Sequence, residues 1–517
     1  MRTSSNLTGA GRFIALAMLM SGCGVAETPT ATSDPSAAIG EKSSADPSAA
    51  GDLVPFPLEA SIPELQAALE SGELTSVKLV EFYLERIAAY DQAGPQLNAL
   101  IHVNPRAAEE AEALDAERAA AGPRGPLHGI PIVVKDNLNT SDMPTTGGSL
   151  ALEGFMPTED AFQIERLRDA GAIILAKANL YELAHGWEMT SPVGGQTLNP
   201  YDISRDPGGS SGGTAVAVSA NFAAAGLGTD TCGSVRLPAA HNNLYSLRPT
   251  LGLTSRTGVI PFSFTLDTVG PMARNVVDLA ILLEATAGQD QADQTTVPVE
   301  ASFMEAVDTE GLAGRRLGLV SRGATAEIDD AVQAALDEME AKGVEFVEVS
   351  LPPGAQSLVP TFLNEFRFAL EDYLAGEPNG AGALAEILAQ DPDAAGVPSL
   401  ETDEYREALA SREAFRDAVM DMFTEHNIDA VAYPVSPTPA ARIGGSQDGW
   451  SCAAASIAGA PAIAIPVGFT SDGLPVGLEL MARPFDEATL LSIAAGYEAI
   501  ADHRMLPPTT PPLNTTP

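Results

Sequence analysis

The first ordered part of the chain shows apolar side chains at helical spacing. Two amphipathic helices are predicted within SIPELQAALESGELTSVKLVEFYLERIAAYDQ, and a third within PRAAEEAEALDAERAAAG. Ser61 and Thr75 fit helix N-caps, because a side-chain oxygen there can accept a hydrogen bond from a free helix amide. Gly122 fits the end of the third helix.

Short runs of continuous apolar residues follow, among them GIPIVVKDN, GAIILAKAN and AAAGLGTD. Each has the length of a strand, and none alternates between apolar and polar positions. This pattern is typical of strands that are buried on both faces. Helical patterns separate the runs as far as DEATLLSIAAGYEAI, so the chain is predicted to form one large α/β domain with a parallel or mixed sheet.

Two segments lack such a pattern. Residues 376–399, rich in Gly, Ala and Asp, are predicted to be an exposed loop or insertion. The tail after Met505 consists mainly of Pro and Thr and is predicted to be loose.

The N-terminus resembles an export signal. Residues 1–22 combine two arginines with an apolar run at 13–20 that is too short to span a bilayer. MSGC resembles a lipobox, which makes Cys23 the lipidated residue; a plain secretory signal with an incidental cysteine is the alternative. Residues 23–52 contain few large apolar side chains and are predicted to be a disordered tether.

These features predict a folded domain over residues 53–510 in an exported protein, held to a membrane of the bacterial envelope by a lipid. The chain has 69 acidic and 28 basic residues, a net charge of −41. Such a charge repels nucleic acid and anionic headgroups, so no nucleic-acid partner is expected and membrane contact is assigned to the lipid. Whether the protein is a monomer or a dimer is left open.

The cysteines and histidines give no metal motif. Neither CxxC nor HExxH occurs, so no metal site is expected. Cys232 and Cys452 lie in apolar stretches and are expected to be free buried thiols rather than a disulfide.

The stretch DPGGSSGGTA, at 206–215, is the first candidate for a catalytic motif. It fits the nucleophile-elbow pattern GxSxG for Ser210 or Ser211, which requires a preceding strand and a later histidine. The preceding TLNPYDISRDP reads as a loop, and neither His241, His426 nor His503 has a distinctive setting. The elbow interpretation is therefore disfavoured.

A lysine held neutral by burial can replace histidine as the base. Lys135 and Lys177 each end an apolar strand, and spacing alone does not choose between them. Ser234 follows another strand near the start of a helix, where free backbone N–H groups can stabilise an oxyanion. A helix N-cap is the simpler interpretation of Ser234.

At this point the sequence resembles the amidase signature hydrolases. The resemblance rests on GGQTLNPYDISRDPGGSSGGTAVAVSANFAAAGLGTDTCGSVRLPAA, with LHGIPIVVKDN before it and GAPAIAIPVGFTSDGLPVGLELMARPFDEATLL after it. It extends over nearly all of residues 58–502 and looks closest to bacterial peptide amidases. It implies a large mixed sheet flanked by helices on both faces.

The resemblance also implies a Ser–cis-Ser–Lys triad. Lys135 would be the base, Ser210 the bridging serine and Ser234 the nucleophile that forms an acyl-enzyme, while Lys177 would be structural. The implied oxyanion hole consists of the backbone N–H groups of Thr231, Cys232, Gly233 and Ser234. The implied supporting residues are Gly209, before the cis bond, then Ser211, and the pair Asp230 and Arg236. Many members have Gly where this chain has Cys232.

The expected function is thus that of a cofactor-free amidase acting on a small carboxamide or a C-terminal peptide amide. Hydrolysis of carbamates, esters or anilides on the same fold is an alternative. The glutaminyl-amidotransferase subunit for charged tRNA is a third resemblance, disfavoured by export and charge. A catalytically inactive, surface-binding lipoprotein is disfavoured because Lys135, Ser210 and Ser234 are all present. Substrate-pocket loops are expected at 182–195, at 376–399 and around Trp450.

Overall fold

The computed structural model describes residues 57–299, 302–321, 323–447, 452–501 and 503–513. The predicted signal peptide and tether, Cys23 and Trp450 lie outside the described residues. Contacts divide the chain into Met1–Leu53 and Val54–Pro517. The exact bounds 53–510 of the predicted domain stay a prediction.

The second unit contains both helices and strands, with five consecutive helices, α9 to α13, between β10 and β11. The helices are α1 Ile62–Ser71, α2 Ser76–Tyr90, α3 Ala107–Ala121, α4 Phe162–Asp169, α5 Gly212–Ser219, α6 Arg236–His241, α7 Val276–Thr286, α8 Ala326–Glu340, α9 Ala355–Leu363, α10 Phe366–Leu374, α11 Gly380–Gln390, α12 Pro392–Gly396, α13 Asp403–His426, α14 Ala453–Ala458 and α15 Glu487–Glu498. The strands are β1 Leu100–Val103, β2 Pro131–Lys135, β3 Ile173–Ala178, β4 Thr190–Ser191, β5 Gly195–Gln196, β6 Ala225–Asp230, β7 Tyr245–Arg248, β8 Thr268–Ala273, β9 Arg316–Leu319, β10 Glu345–Glu348, β11 Ala430–Pro434, β12 Ala462–Phe469 and β13 Pro475–Met481. Within the ranges given above, no helix combines the length and the apolar content needed to cross a bilayer.

Eleven strands form one mixed sheet, in the order β1-β3-β2-β6-β8-β7-β12-β13-β11-β9-β10, and β4 pairs with β5 separately. The pairs β2–β3, β2–β6, β9–β10 and β9–β11 are parallel, and the other pairs of the sheet are antiparallel. Every residue of β2, β3 and β6 is buried, so both faces of these strands are covered. The predicted α/β class with a mixed sheet is confirmed.

The sheet places two functional positions side by side. β2 and β6 run parallel as neighbours, with Val134 opposite Leu227. Lys135 ends β2 and Asp230 ends β6. Because neighbouring parallel strands finish at the same edge of a sheet, loops that follow both strands meet there.

The predicted helix ends are also confirmed. Ser61 precedes α1 and forms a capping box with Glu64, and Thr75 accepts a hydrogen bond from the N–H of Lys78. Gly122 follows α3 with φ of 83°, a conformation that glycine adopts without steric cost.

The prediction of an exposed loop at 376–399 is wrong, because this segment contains α11 and α12, and the alternative of an insertion stays a prediction. Ala383 and Ile387, four residues apart, lie on one face of α11 and are buried in one cluster with Phe366 and Leu370 of α10. The Gly and Ala content of the segment obscured this short apolar stripe. Packing against α10 supplies the stability that composition alone does not indicate.

The prediction of a loose tail is also wrong for the part of the tail that the structure describes, which ends at Leu513. Arg86 is fully buried, and its guanidinium donates to the carbonyl oxygens of Thr510 at 2.9 Å and Pro511 at 3.1 Å. The Thr509 hydroxyl donates to the carbonyl of Pro200 at 2.6 Å. The tail is held mainly through its backbone carbonyls, which every sequence has, so its composition gave no sign of the contact.

Removing residues 509–517 should lower the free energy of unfolding by about 1–3 kcal/mol, because the buried guanidinium of Arg86 loses two acceptors. Urea unfolding followed by circular dichroism measures this difference. A chain ending at Leu513 keeps both carbonyls and is the matched control. Equal unfolding midpoints for the two truncations would show that the tail contributes nothing.

Candidate active site

Lys135 is fully buried at the end of β2 and faces hydroxyl groups. Its Nζ lies 2.8 Å from Oγ of Ser210 and 2.8 Å from Oγ1 of Thr229. Burial lowers the pKa of Lys135 to about 7, against the opposing charges of Asp230 and Asp267. A substantial fraction of Lys135 is therefore neutral near pH 7 and can accept a proton.

Lys177 is equally buried but has a different environment. Its Nζ lies 3.2 Å from a carboxylate oxygen of Asp136, and it donates to Oγ1 of Thr145 at 2.6 Å. Burial lowers the pKa of Lys177, whereas Asp136 raises it. Lys177 thus has a buried counter-ion, and Lys135 has none within 4.0 Å in the described part of the chain.

Ser210 lies in the glycine-rich loop before α5. The Gly209–Ser210 peptide bond is cis, as the resemblance implied. A Cβ atom at Gly209 would lie 3.0 Å from the carbonyl oxygen of Trp187 and 3.1 Å from that of Gly186. These distances are shorter than ordinary van der Waals contacts, so the backbone of residues 186–187 favours glycine here.

Ser211 joins this loop to the two neighbouring segments. Its hydroxyl donates to the carbonyl of Thr229 at 3.1 Å, and its N–H donates to the carbonyl of Ser234 at 3.2 Å. Ser211 therefore connects the backbone around Ser210 with that of Ser234.

Ser234 lies between β6 and α6 and is 4% exposed. Over the described ranges, no hydrogen bond joins its hydroxyl to that of Ser210. The carboxylate of Asp230 accepts hydrogen bonds from the N–H groups of Gly233 at 2.9 Å and Val235 at 3.1 Å, which fixes the turn on both sides of Ser234. Since the N–H of Gly233 is committed to Asp230, the remaining candidate oxyanion donors are Thr231, Cys232 and Ser234.

The predicted pair of Asp230 and Arg236 is present within a larger buried network. Asp230 lies 3.1 Å from Nε of Arg236 and 2.8 Å from Nη1 of Arg248. Arg236 also pairs with Glu479 at 2.5 Å, and Glu479 accepts from the Tyr433 hydroxyl at 2.7 Å. Burial raises the pKa of Asp230, but the two guanidinium groups outweigh burial and hold it well below its usual range.

Sequence reasoning missed four further hydrogen bonds. The Thr229 hydroxyl accepts from Lys135 and, at 3.0 Å, from the amide of Asn137. The Thr231 hydroxyl donates to Asp267 at 2.6 Å, and Trp187 Nε1 donates to the carbonyl of Cys232 at 3.2 Å. Only the position of Thr229, near the end of a strand that neighbours β2, could have indicated a role, and that needed the strand order.

The expectation of free thiols is wrong. Cys232 and Cys452 form a disulfide that joins positions 220 residues apart, with Cα atoms 4.1 Å from each other. Both lie in apolar surroundings, as expected, but the loop after β6 and the start of α14 are neighbours in the fold. Spacing in sequence carries no information on such a long-range contact.

The described residues also do not provide the preceding strand and the catalytic histidine that a nucleophile elbow requires. Residues 197–211, all of them described, contain no strand. His241 is buried at the end of α6, and burial lowers its pKa to about 4. His503 contacts the Tyr497 hydroxyl at 3.0 Å, far along the chain from either serine. Among residues with described positions, no group of three or more His, Cys, Asp or Glu side chains could hold a metal ion.

The chain is similar to amidotransferase subunits and to peptide amidase. It is 37% identical over 470 residues to a glutamyl-tRNA(Gln) amidotransferase subunit of Chloroflexus aggregans, covering 84% of this chain and 95% of the relative. Native peptide amidase from Stenotrophomonas maltophilia superimposes with a TM-score of 0.83 at 38% identity, over 88% of this chain and 99% of that chain. The corresponding glutamyl-tRNA(Gln) amidotransferase subunit of Thermotoga maritima gives a TM-score of 0.73 at 29% identity, over 88% and 99%.

The relatives correct the predicted localisation. The expectation of an exported envelope protein with a lipid anchor was drawn from the N-terminal segment alone. The relatives that match most of the chain are subunits of glutamyl-tRNA(Gln) amidotransferase, and this finding overturns it. The expectation is wrong, so export no longer disfavours an amidotransferase subunit. The alternative of an inactive surface lipoprotein is likewise unsupported.

The family model described as Amidase matches residues 78–491, which is more than half of the chain. The matched range contains β2, the glycine-rich loop, and β6 with the turn around Ser234. The chain therefore belongs to the amidase signature family and is an amide-hydrolysing enzyme.

Proposed function

We propose that this amidase uses Ser234 as nucleophile, Ser210 as proton bridge and Lys135 as base. The observation that carries the proposal is the 2.8 Å contact between Nζ of a fully buried Lys135 and Oγ of Ser210. A lysine without a carboxylate partner and with a pKa of about 7 is suited to take and return a proton at neutral pH.

In the acylation step, Ser234 Oγ attacks the amide carbon while its proton passes to Ser210, whose own proton passes to neutral Lys135. The carbonyl oxygen becomes an oxyanion, for which Thr231, Cys232 and Ser234 offer backbone N–H groups. The proton returns through Ser210 to the leaving nitrogen as the carbon–nitrogen bond breaks. Water then attacks the acyl-enzyme by the same relay and restores Ser234.

Thr229, Ser211 and Asp230 would support this relay without contacting the substrate. Thr229 accepts a hydrogen bond from Lys135 and so helps to hold Nζ at Ser210. Ser211 joins the backbones around the two other serines, and Asp230 fixes the turn at Ser234.

Small carboxamides, C-terminal peptide amides among them, are the proposed substrates. The higher TM-score with peptide amidase than with the Thermotoga maritima subunit supports this choice. The net charge of −41 also disfavours contact with the phosphates of tRNA. Carbamates, esters and anilides are alternative substrates, because an acyl-serine can form from several leaving groups.

A glutamine-hydrolysing subunit is the second candidate, favoured by the 37% identity to one of the amidotransferase relatives. Ammonia release by the purified chain alone distinguishes the two. Turnover of dipeptide amides without turnover of free glutamine supports the peptide amidase function. Ammonia from glutamine alone, with dipeptide amides untouched, would contradict it.

A fluorophosphonate probe should label the wild-type enzyme and should not label Ser234→Ala. Ser211→Ala should still be labelled, since Ser211 only positions its neighbours. Intact-mass spectrometry measures both. Labelling of Ser234→Ala with loss of labelling in Ser211→Ala would overturn the assignment.

The kcat/KM for a neutral amide should rise as the pH increases through about 7, because the neutral form of Lys135 is the base. Activity between pH 5 and 9, with an amide that does not itself titrate, measures the profile. A flat profile across this range would contradict the assignment of Lys135.

The two buried lysines should respond in opposite ways to substitution. Lys177→Met leaves the carboxylate of Asp136 without its counter-ion and should cost about 3–5 kcal/mol of stability. Lys135→Met should abolish activity. At pH 6 this variant should nevertheless unfold at a higher urea concentration than the wild type. Urea unfolding and amide turnover separate the two effects.

The stability difference for Lys135 should also depend on pH. Its pKa is about 7 in the folded chain against an ordinary value of 10.5, so the unfolded chain binds more protons between these values. The destabilising effect of Lys135 on the wild type therefore decreases as the pH rises through that window. The advantage of Lys135→Met should shrink from pH 7 to pH 10, and a constant advantage would contradict the lowered pKa.

A further inference from the structure

We infer that the disulfide between Cys232 and Cys452 positions residues 231–235 around Ser234, here called the nucleophile turn. We also infer that reduction of this disulfide slows catalysis. This inference rests on the proposed function of Ser234. Cys232 lies two positions before Ser234 and carries one of the candidate oxyanion N–H groups. The disulfide is thus a covalent connection within the segment that would stabilise the transition state.

The neighbours of Cys232 are each held by a carboxylate. On one side the Thr231 hydroxyl donates to Asp267 at 2.6 Å, and on the other the N–H of Gly233 donates to Asp230 at 2.9 Å. Cys232 itself has no such carboxylate contact in the described structure. It is held by the hydrogen bond from Trp187 to its carbonyl, at 3.2 Å, and by the disulfide.

The partner cysteine, Cys452, lies at the start of a firmly packed helix, α14. Cys452 is 1% exposed and directly precedes α14, which packs against α9 and α13. Ser456 of the same helix accepts from Arg236 at 3.4 Å. Cys452 and α14 therefore contact the chain on both sides of Ser234, Cys452 through its disulfide to Cys232 and α14 through a weak hydrogen bond from Arg236 to Ser456.

Loss of the sulfur–sulfur bond removes the stronger of these two connections. Trp187 then remains as the described hydrogen-bond partner of the Cys232 carbonyl, and the peptide at Cys232 gains orientational freedom. An oxyanion exists only in and near the transition state, so a less well-oriented donor lowers kcat more than it raises KM. The contact of Lys135 with Ser210 does not involve either cysteine and keeps its pH dependence.

The redox step balances with a dithiol as reductant. The two thiols of dithiothreitol become a cyclic disulfide, and each cysteine sulfur gains one electron and one proton. Oxidised glutathione reverses the reaction by accepting the same two electrons. Cys232 is 8% exposed and Cys452 is 1% exposed, so the side of Cys232 is the more accessible side of the bond.

Steady-state kinetics of four variants on one peptide amide test the inference. Cys232→Ser, Cys452→Ser and the double variant should each lose about tenfold in kcat, less than the roughly 10²–10³ typical of removing a whole oxyanion donor, with KM changed less than about twofold. The three losses should be equal, because each variant removes the same bond. Cys23→Ser keeps the pair and is the matched control.

Reduction provides the second measurement, independent of how the variants fold. Dithiothreitol should lower wild-type kcat to the level of the double variant and leave the double variant unchanged, and oxidised glutathione should restore the wild type. The pH profile should keep its midpoint throughout. Mass spectrometry of a non-reduced digest should show the peptides of Cys232 and Cys452 joined.

Two results would overturn the inference: peptides that are not joined, or full kcat after reduction with only a lower unfolding midpoint. The second would make the disulfide a purely structural cross-link. Failure of the proposed function gives a different result, since Ser234→Ala would then retain activity. An inactive Ser234→Ala beside a fully active Cys452→Ser rejects the disulfide inference alone.

Discussion

The buried carboxylate of Asp230 is the interaction on which the site depends. It ends β6 and binds guanidinium groups from α6 and β7, together with two N–H groups of the turn that carries Ser234. A buried carboxylate is tolerated only when such partners replace its hydration, and removal of one partner of a buried ion pair typically costs about 3–5 kcal/mol. The shape of the nucleophile turn and the stability of the sheet edge are therefore coupled through one side chain.

This network also explains why Lys135 can be partly neutral near pH 7 although Asp230 and Asp267 are close to it. The charge of Asp230 is balanced by Arg236 and Arg248, so it raises the pKa of Lys135 less than burial lowers it. Lys177, on the neighbouring strand β3, forms an ion pair with Asp136. Burial lowers the pKa of both lysines, and the two differ in that only Lys177 has a carboxylate within 4.0 Å in the described part of the chain.

The sequence could predict what depends on local pattern. The continuous apolar runs of β2, β3 and β6 follow from burial on both faces, and the helix caps at Ser61 and Thr75 follow from single side chains. The roles of Lys135, Ser210 and Ser234 came from family resemblance, since spacing left both lysines open. Contacts made by topology could not be predicted, because nothing local indicates that Cys232 meets Cys452 or that Thr231 meets Asp267.

Part of what the sequence could not predict comes from a later part of the chain. The base, the bridge and the nucleophile lie on or next to β2 and β6, at one sheet edge. The segment from α9 to α14 comes later in sequence, and it reaches the same turn through Cys452. Glu365, before α10, accepts hydrogen bonds from Ser263 and Thr265 in the loop that ends at Asp267. Through Asp267 and the disulfide, this helical region contacts the residues on the N-terminal side of Ser234. Differences in these helices can therefore alter the transition-state contacts while the relay at the sheet edge stays the same.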